Sequence, residues 1–281
     1  GLNVEGGKIT TSVMGLKFRH LAKMYLFQSN VLPLRAIMQL SGKYGEGKST
    51  LLYDLMSQVV NDHAGLAFLG DHESKFNDQH VRAVLQEGFR QFNARQCQSP
   101  NEWRNYIHTL LETQEAHPAG MLKPILMAVD STTGKISGVK KDLDAGKELG
   151  ASFNQARDAA GNGSLLTRAA TLLLGLPTVL VLIAHQSVPI GDSSGLPIAP
   201  KVAGGSKATY LETYELHVAR GKTIDNAEFR GYEQSITSGK SSFGEGKGFR
   251  KINSRILWMR VEDPDTGEER AVMGYDWDWT L

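Results

Sequence analysis

AIMQLSGKYGEGKST, residues 36–50, sets an apolar run directly against a segment holding three glycines, two lysines and a glutamate. RAIMQL reads as a buried strand and STLLYDLMSQVVND as a helix, so the glycines fall where a strand hands over to a helix. Gly42, Gly47, Lys48 and Ser49 satisfy the spacing G-x-x-x-x-G-K-[ST] at that junction. Glycines let the backbone curl until successive N–H groups converge on phosphate oxygens, and the following helix adds its positive end. The loop Gly42, Lys43, Tyr44, Gly45, Glu46, Gly47, Lys48, Ser49 and Thr50 is therefore expected to cradle a polyphosphate.

Outward from this junction the pattern alternates. GLAFLG, PILMAVD and PTVLVLIAH read as fully apolar strands, and NDQHVRAVLQEGFRQF, PNEWRNYIHTLLETQEA and LLTRAATLLLG as helices between them. Apolar strands separated by helices imply a mainly parallel sheet covered on both faces. Beyond Tyr210, YELHVAR, RILWMRVED and RAVMGYDWDW are strand-like with no long helix between them, and DPDTGEE reads as the turn joining the last two. The expected fold is α/β: a P-loop core whose parallel sheet is flanked by helices and ends in an antiparallel extension. Residues 31–281 form that core. Residues 1–30, with the amphipathic stretch MGLKFRHLAKMYLF, are expected to be an arm outside it, for which the resemblance named below implies contact between protomers. The glycine- and lysine-rich stretch TSGKSSFGEGKGFRK is expected to be mobile. There is no internal repeat.

Composition narrows the class only broadly. A formal net charge of +1 gives no global basicity, so any nucleic-acid contact must come from local patches. The single cysteine, Cys97, excludes an internal disulfide and fits a reducing, cytoplasmic setting. The most hydrophobic stretch, residues 169–185, is broken by Gly175 and Pro177 and reads as helix end, turn and strand rather than a membrane span. The first residues show no signal-peptide pattern.

A phosphate cradle at a strand end needs companions from neighbouring strands. Lys48 is expected at the β and γ phosphates of ATP, with Ser49 and Asp130, which ends PILMAVD, on Mg²⁺. Attack by water needs a carboxylate past another strand end. LAFLGDHES supplies Glu73, the expected base, with Asp71 as its competitor. His185 and Gln186 reach the same sheet edge after VLVLIAH, placed to sense the γ phosphate.

In this order, the P-loop, DHE, AVDS, AHQ and AGGSKATYLETYELHVAR resemble the RecA recombinase core, most nearly the phage UvsX-type recombinases. The resemblance covers residues 30–281, and its most discriminating element is the double glycine Gly204 and Gly205 ahead of a short helix and an outgoing strand. It implies an ATP-driven filament on single-stranded DNA that pairs homologous duplex DNA and exchanges strands, in the cytoplasm of a host cell if phage-encoded. It implies that Glu73 activates water and that Gln186 couples the γ phosphate to two DNA-contacting segments, those following Asp130 and Gln186. Lys135, Lys140, Lys141, Lys147 and Lys201 supply their positive charge, and aromatic residues for base stacking are nearly absent from both. It further implies cations donated by a neighbouring protomer: GEGKGFRKINSR offers Lys247, Arg250, Lys251 and Arg255, with Arg250 and Lys251 favoured. A ring-forming helicase of the DnaB type and a non-catalytic, ATP-binding recombination mediator are the alternative readings.

Overall fold

The structure, a computed structural model, describes residues 31–117, 123–132, 151–187, 201–202, 211–241, 250–263 and 266–279, with short pieces of the first thirty positions. Its strands are β1 (Leu2–Glu5), β2 (Lys8–Thr11), β3 (Gly15–Lys17), β4 (Val31–Pro33), β5 (Ala36–Gly42), β6 (Leu66–Asp71), β7 (Phe92–Gln96), β8 (Ile125–Asp130), β9 (Thr178–Ser187), β10 (Lys201–Val202), β11 (Tyr214–Asp225), β12 (Arg230–Ser241), β13 (Arg250–Glu262) and β14 (Glu269–Asp276). The helices are α1 (Lys48–Ser57), α2 (Asp78–Leu85), α3 (Pro100–Glu115) and α4 (Ala151–Leu173).

One sheet dominates, in the order β14-β13-β12-β11-β5-β9-β8-β6-β7. From β11 across to β7 neighbouring strands run parallel, and β11 through β14 form an antiparallel meander. The chain is thus an α/β protein with a mostly parallel central sheet and an antiparallel C-terminal part, as its alternating pattern implied. β5 and β8, the strands leading to the glycine loop and to Asp130, are separated only by β9.

Apolar runs become a two-sided sheet through strict alternation. Met38, Leu40, Leu126, Ala128, Val181 and Ile183 join Leu51, Leu52 and Leu55 of α1 in one core. Ile37, Ile125, Met127, Val129, Leu180 and Leu182 join Trp103 and Ile107 of α3 and Leu166 and Ala169 of α4 in the other. Both cores are continuous sheets of branched aliphatic contact, so the strand ends they support are held firmly.

Several expectations need correction. The helix read over 77–92 stops at Leu85, where Gln86 turns to a φ of 49°, and residues 92–96 form the edge strand β7. That strand, FNARQ, is polar and half exposed, so no apolar alternation marks it. β12 went unrecognised because its buried positions are filled by Tyr232, Gln234, Ile236 and Ser238, half of them polar. Part of the stretch expected to be mobile belongs to β12 and β13; residues 242–249 lie outside the described residues. Two described residues among the first thirty touch the core. Leu26 is fully buried within it, and the buried Lys23 ammonium sits 2.7 Å from Asp54 of α1. The 169–185 stretch is helix, turn and strand as read, and among the described residues no helix is long and apolar enough to cross a membrane.

Cys97 is buried, and burial pushes its thiol up to about 11, so it is an inert core residue. Glu212, just before β11, is more consequential. It is 2% exposed, and neither carboxylate oxygen has a hydrogen-bond partner among the described residues. Burial, then the nearby Glu215, raises its pKa from 4.5 to about 8. A carboxyl that binds its proton more tightly when folded makes stability fall as pH rises from its unfolded pKa through its folded one. Thermal melting of the wild type should therefore decline from pH 5 to 8, and Glu212→Gln should flatten that slope and melt higher at pH 8. Parallel melting curves for the two proteins across this range would show that Glu212 ionises at no cost.

Candidate nucleotide site

The glycine loop connects β5 to α1, and two of its glycines are required by geometry. Gly47 caps α1 in the left-handed region, at φ 85°, and a Cβ there would stand 2.6 Å from Gln234 Nε2 and 2.7 Å from both Ile256 Cδ1 and the Tyr232 hydroxyl. At Gly42 a Cβ would meet the Val218 carbonyl oxygen at 2.5 Å. The loop is thus pressed against β11, β12 and β13, and Gln234 secures it by donating a hydrogen bond to the Glu46 carbonyl while accepting one from the Tyr275 hydroxyl. The Glu46 carboxylate accepts from the Lys43 amide within the loop.

Lys48 is buried, its ammonium donating to the carbonyl oxygens of Gly42 at 3.0 Å and Lys43 at 2.7 Å. Burial lowers its pKa, partly countered by Asp130, Glu46 and Glu73. Among the described residues no side chain makes a cap hydrogen bond at the N-terminus of α1, and no acidic residue occupies its first turn, which leaves the positive end of the helix open to an anion. A buried ammonium beside uncapped helix amides fits a phosphate chain.

Asp130 ends β8 and receives a hydrogen bond of 2.6 Å from the Ser49 hydroxyl. Burial raises its pKa, and the charges of Glu73 and Asp71 add to the rise. Two oxygens this close suit adjacent positions on Mg²⁺, where ligands at about 2.1 Å lie about 3 Å apart. A cation there would also relieve the repulsion among the three carboxylates. Among the described residues no three His, Cys, Asp or Glu side chains gather into a metal site; Mg²⁺ on nucleotides is commonly held by one or two protein groups with phosphates and water.

Past the end of β6 the two competing carboxylates separate in role. Asp71 is buried and accepts from the amides of Glu73 at 3.1 Å, Lys75 at 3.4 Å and Phe76 at 2.9 Å, which shapes the turn. Glu73 lines the cleft instead, and accepts from His185 at the end of β9, from Lys75 and from the Ser131 hydroxyl at 2.7 Å. The His185 hydrogen bond, opposed by burial and aided by Lys75 and Ser131, holds its pKa well below the usual carboxylate range. Glu73 is thus an ionised acceptor throughout the neutral range, fixed by groups from three strand ends.

Together these residues line a cleft of about 600 Å³, within the range of small-ligand sites. Its far wall is made by Arg220, Thr223, Ile224, Asp225, Arg230, Tyr232, Trp258 and Met273 of the antiparallel strands. No motif marked these positions or Lys75, whose ammonium lies 4.3 Å above the Tyr44 ring. The available signal was length: β11 runs well beyond YELHVAR.

Of the remaining expected residues, Gln186 lies on β9 opposite Val202, and Lys201 lies opposite Ser187, so both stand at the carboxyl edge of the sheet. Arg250 and Lys251 begin β13, three strands from β5, and neither lines the cleft. They are not part of this chain's own site. Lys135, Lys140, Lys141, Lys147, Lys247, Gly204 and Gly205 lie outside the described residues.

Compared with known protein families and with curated proteins, the chain matches none. The α/β class and the cleft geometry are what define it.

A methyl group at position 47 must displace three side chains and accept a left-handed backbone. Gly47→Ala is therefore expected to destabilise the protein by about 2–4 kcal/mol in denaturant unfolding. An unfolding midpoint equal to the wild type's would show that β12 and β13 do not close on the loop.

Proposed function

We propose that this chain is a RecA-type recombinase of the UvsX kind: a cytoplasmic, DNA-dependent ATPase that assembles on single-stranded DNA and pairs it with homologous duplex. The observation that carries the ATPase reading is the meeting of four groups at one sheet edge: buried Lys48, the Ser49–Asp130 pair, Glu73 and His185. In this reading Lys48 and the amides of residues 42–50 hold the triphosphate, and Ser49 and Asp130 would hold a Mg²⁺, which would supply positive charge against the phosphates. Glu73 orients a water and takes its proton as the water oxygen bonds to the γ phosphorus and the bridging oxygen leaves with ADP. His185, Lys75 and Ser131 hold the Glu73 carboxylate in place for that task.

Topology supports the DNA part. β8 and β9 run parallel, so the segments that follow Asp130 and Ser187 leave the sheet at the edge that carries the nucleotide site. Residues 133–150 contain Lys135, Lys140, Lys141 and Lys147, and the segment after β9 returns through Lys201 beside Ser187. Connections of this length are uncommon in a compact domain unless they are functional or disordered, and their lysines favour the first. In this reading Gln186, near the end of β9, links phosphate and DNA. Arg250 and Lys251, away from their own chain's cleft, suit a role in a neighbouring protomer's site within a filament.

Lys48→Ala should abolish nucleotide binding and turnover. Glu73→Gln should bind ATP as the wild type does but hydrolyse it at least about 100-fold more slowly; unchanged turnover in either variant would remove the corresponding role. Since Glu73 stays ionised, its titration should add no acid limb to the wild-type rate between pH 5 and 8.

Single-stranded DNA should stimulate ATP hydrolysis, and electron microscopy with a slowly hydrolysed ATP analogue should show open helical filaments. Closed rings with fork unwinding would favour the helicase reading, and ATP binding without stimulated turnover would favour the mediator.

A further inference from the structure

The cleft wall facing the phosphate loop is built from strand that overshoots the sheet. β11 pairs with β5 only from Tyr214, opposite Met38, to His217, opposite Ser41; residues 218–225 rise past the carboxyl edge and pair with β12 alone. Within this rising part the register slips. Arg220 stands opposite Gln234 and Thr223 opposite Tyr232, so three steps along β11 match two along β12. Strict alternation would send residues 220 and 223 to opposite faces of the ribbon. The extra residue of the bulge turns both toward the cleft, and both line it.

Arg220 is thereby set over the loop. Its guanidinium carbon lies 4.4 Å from the centre of the Tyr232 ring, and the hydroxyl of that ring lies 2.7 Å from the position a Cβ would take at Gly47. One phenol ring therefore separates Arg220 from the residue that caps α1. Arg230, on the same wall, is paired with Asp225 at 3.3 Å, whereas Arg220 has no carboxylate partner among the described residues. A guanidinium stacked on an aromatic face keeps its planar fork of donors oriented, and that fork matches two phosphate oxygens at once.

We propose that Arg220 is a second cation for the polyphosphate, supplied by the same chain that supplies Lys48. This rests on the reading of residues 42–50 as a triphosphate cradle and adds a counter-jaw to it. Lys48 grips the phosphates from beneath, and Arg220 meets their outer oxygens from the β11–β12 ribbon. The site then carries its own arginine before any neighbour contributes one, so tight nucleotide binding does not wait for assembly.

The test is equilibrium binding of a fluorescent ATP analogue, with ATP and AMP as competitors, at protein concentrations where light scattering shows dispersed chains. Arg220→Ala should weaken ATP binding about tenfold and leave AMP competition and the melting temperature of the free protein unchanged. Arg220→Lys should recover part of the loss, since it restores the charge without the fork. Equal ATP affinity in wild type and Arg220→Ala would overturn the proposal, as would equal losses for ATP and AMP. Mixing Arg220→Ala with Lys48→Ala, each carrying the group the other lacks, should not restore binding; restoration would place the arginine in a partner's site. If the wild type itself takes up no ATP, or Lys48→Ala binds as the wild type does, the cradle reading fails, a result distinct from any of these.

Discussion

The missing side chain at position 47 is the constraint on which the rest of the site depends. Because Gly47 has no Cβ, Tyr232, Gln234 and Ile256 close directly on the loop that enters α1. That closure does two things. It holds the loop against the antiparallel strands, through the Gln234 hydrogen bond to the Glu46 carbonyl. It also turns the upper part of those strands into one wall of the cleft that the loop lines. A bulkier residue would separate the parallel core from its antiparallel extension where their joint surface is of use.

The second organising feature is Glu73, where three strand ends meet. β6 carries it, β8 contributes Ser131 through the turn after Asp130, and β9 contributes His185. Asp71, two residues earlier, spends its carboxylate on backbone amides and so sets where Glu73 points. Two nearby carboxylates of one short segment thus differ in function because one is buried among N–H groups and the other borders the cleft. Electrostatics follows the same division: the partners of Glu73 favour its charge, whereas Asp130 is pushed toward its neutral form by burial and by its acidic neighbours. A cation between Ser49 and Asp130 would reverse that disfavour, which is why the pair reads as a metal position.

What could be read from the residue string was whatever repeats with a period or recurs at fixed spacing. β5, β6, β8 and β9 are mainly apolar runs that end in glycine or polar residues, and the glycine-lysine-serine spacing marks the sheet edge where they end, so Lys48, Ser49, Asp130 and Glu73 could be assigned to that edge from the sequence. β7 was not, since it is polar and has no buried position to make a pattern, and neither was β12, whose buried positions include polar groups with partners that become visible only once strands pair; Gln234 is satisfied by Glu46 and Tyr275, residues far away in sequence. The far wall of the cleft was hidden for a related reason. A bulge between Arg220 and Thr223 changes which residues share a face, and register slips leave no trace in an apolar pattern. The burial of Lys23 and Leu26 was not legible either, because an amphipathic stretch reads alike whether its apolar side meets its own core or a partner.

Lys23 also bears on how α1 is held. Lys23 reaches Asp54 and Gln58 on and just past α1, and Trp277 donates to Asp54 while stacking on Tyr275. The helix that starts at the glycine loop is therefore latched along its flank by segments from near both termini of the chain. A helix held along its flank has little freedom to tilt, so the glycine loop at its N-terminal end inherits a fixed orientation from contacts far from it in sequence.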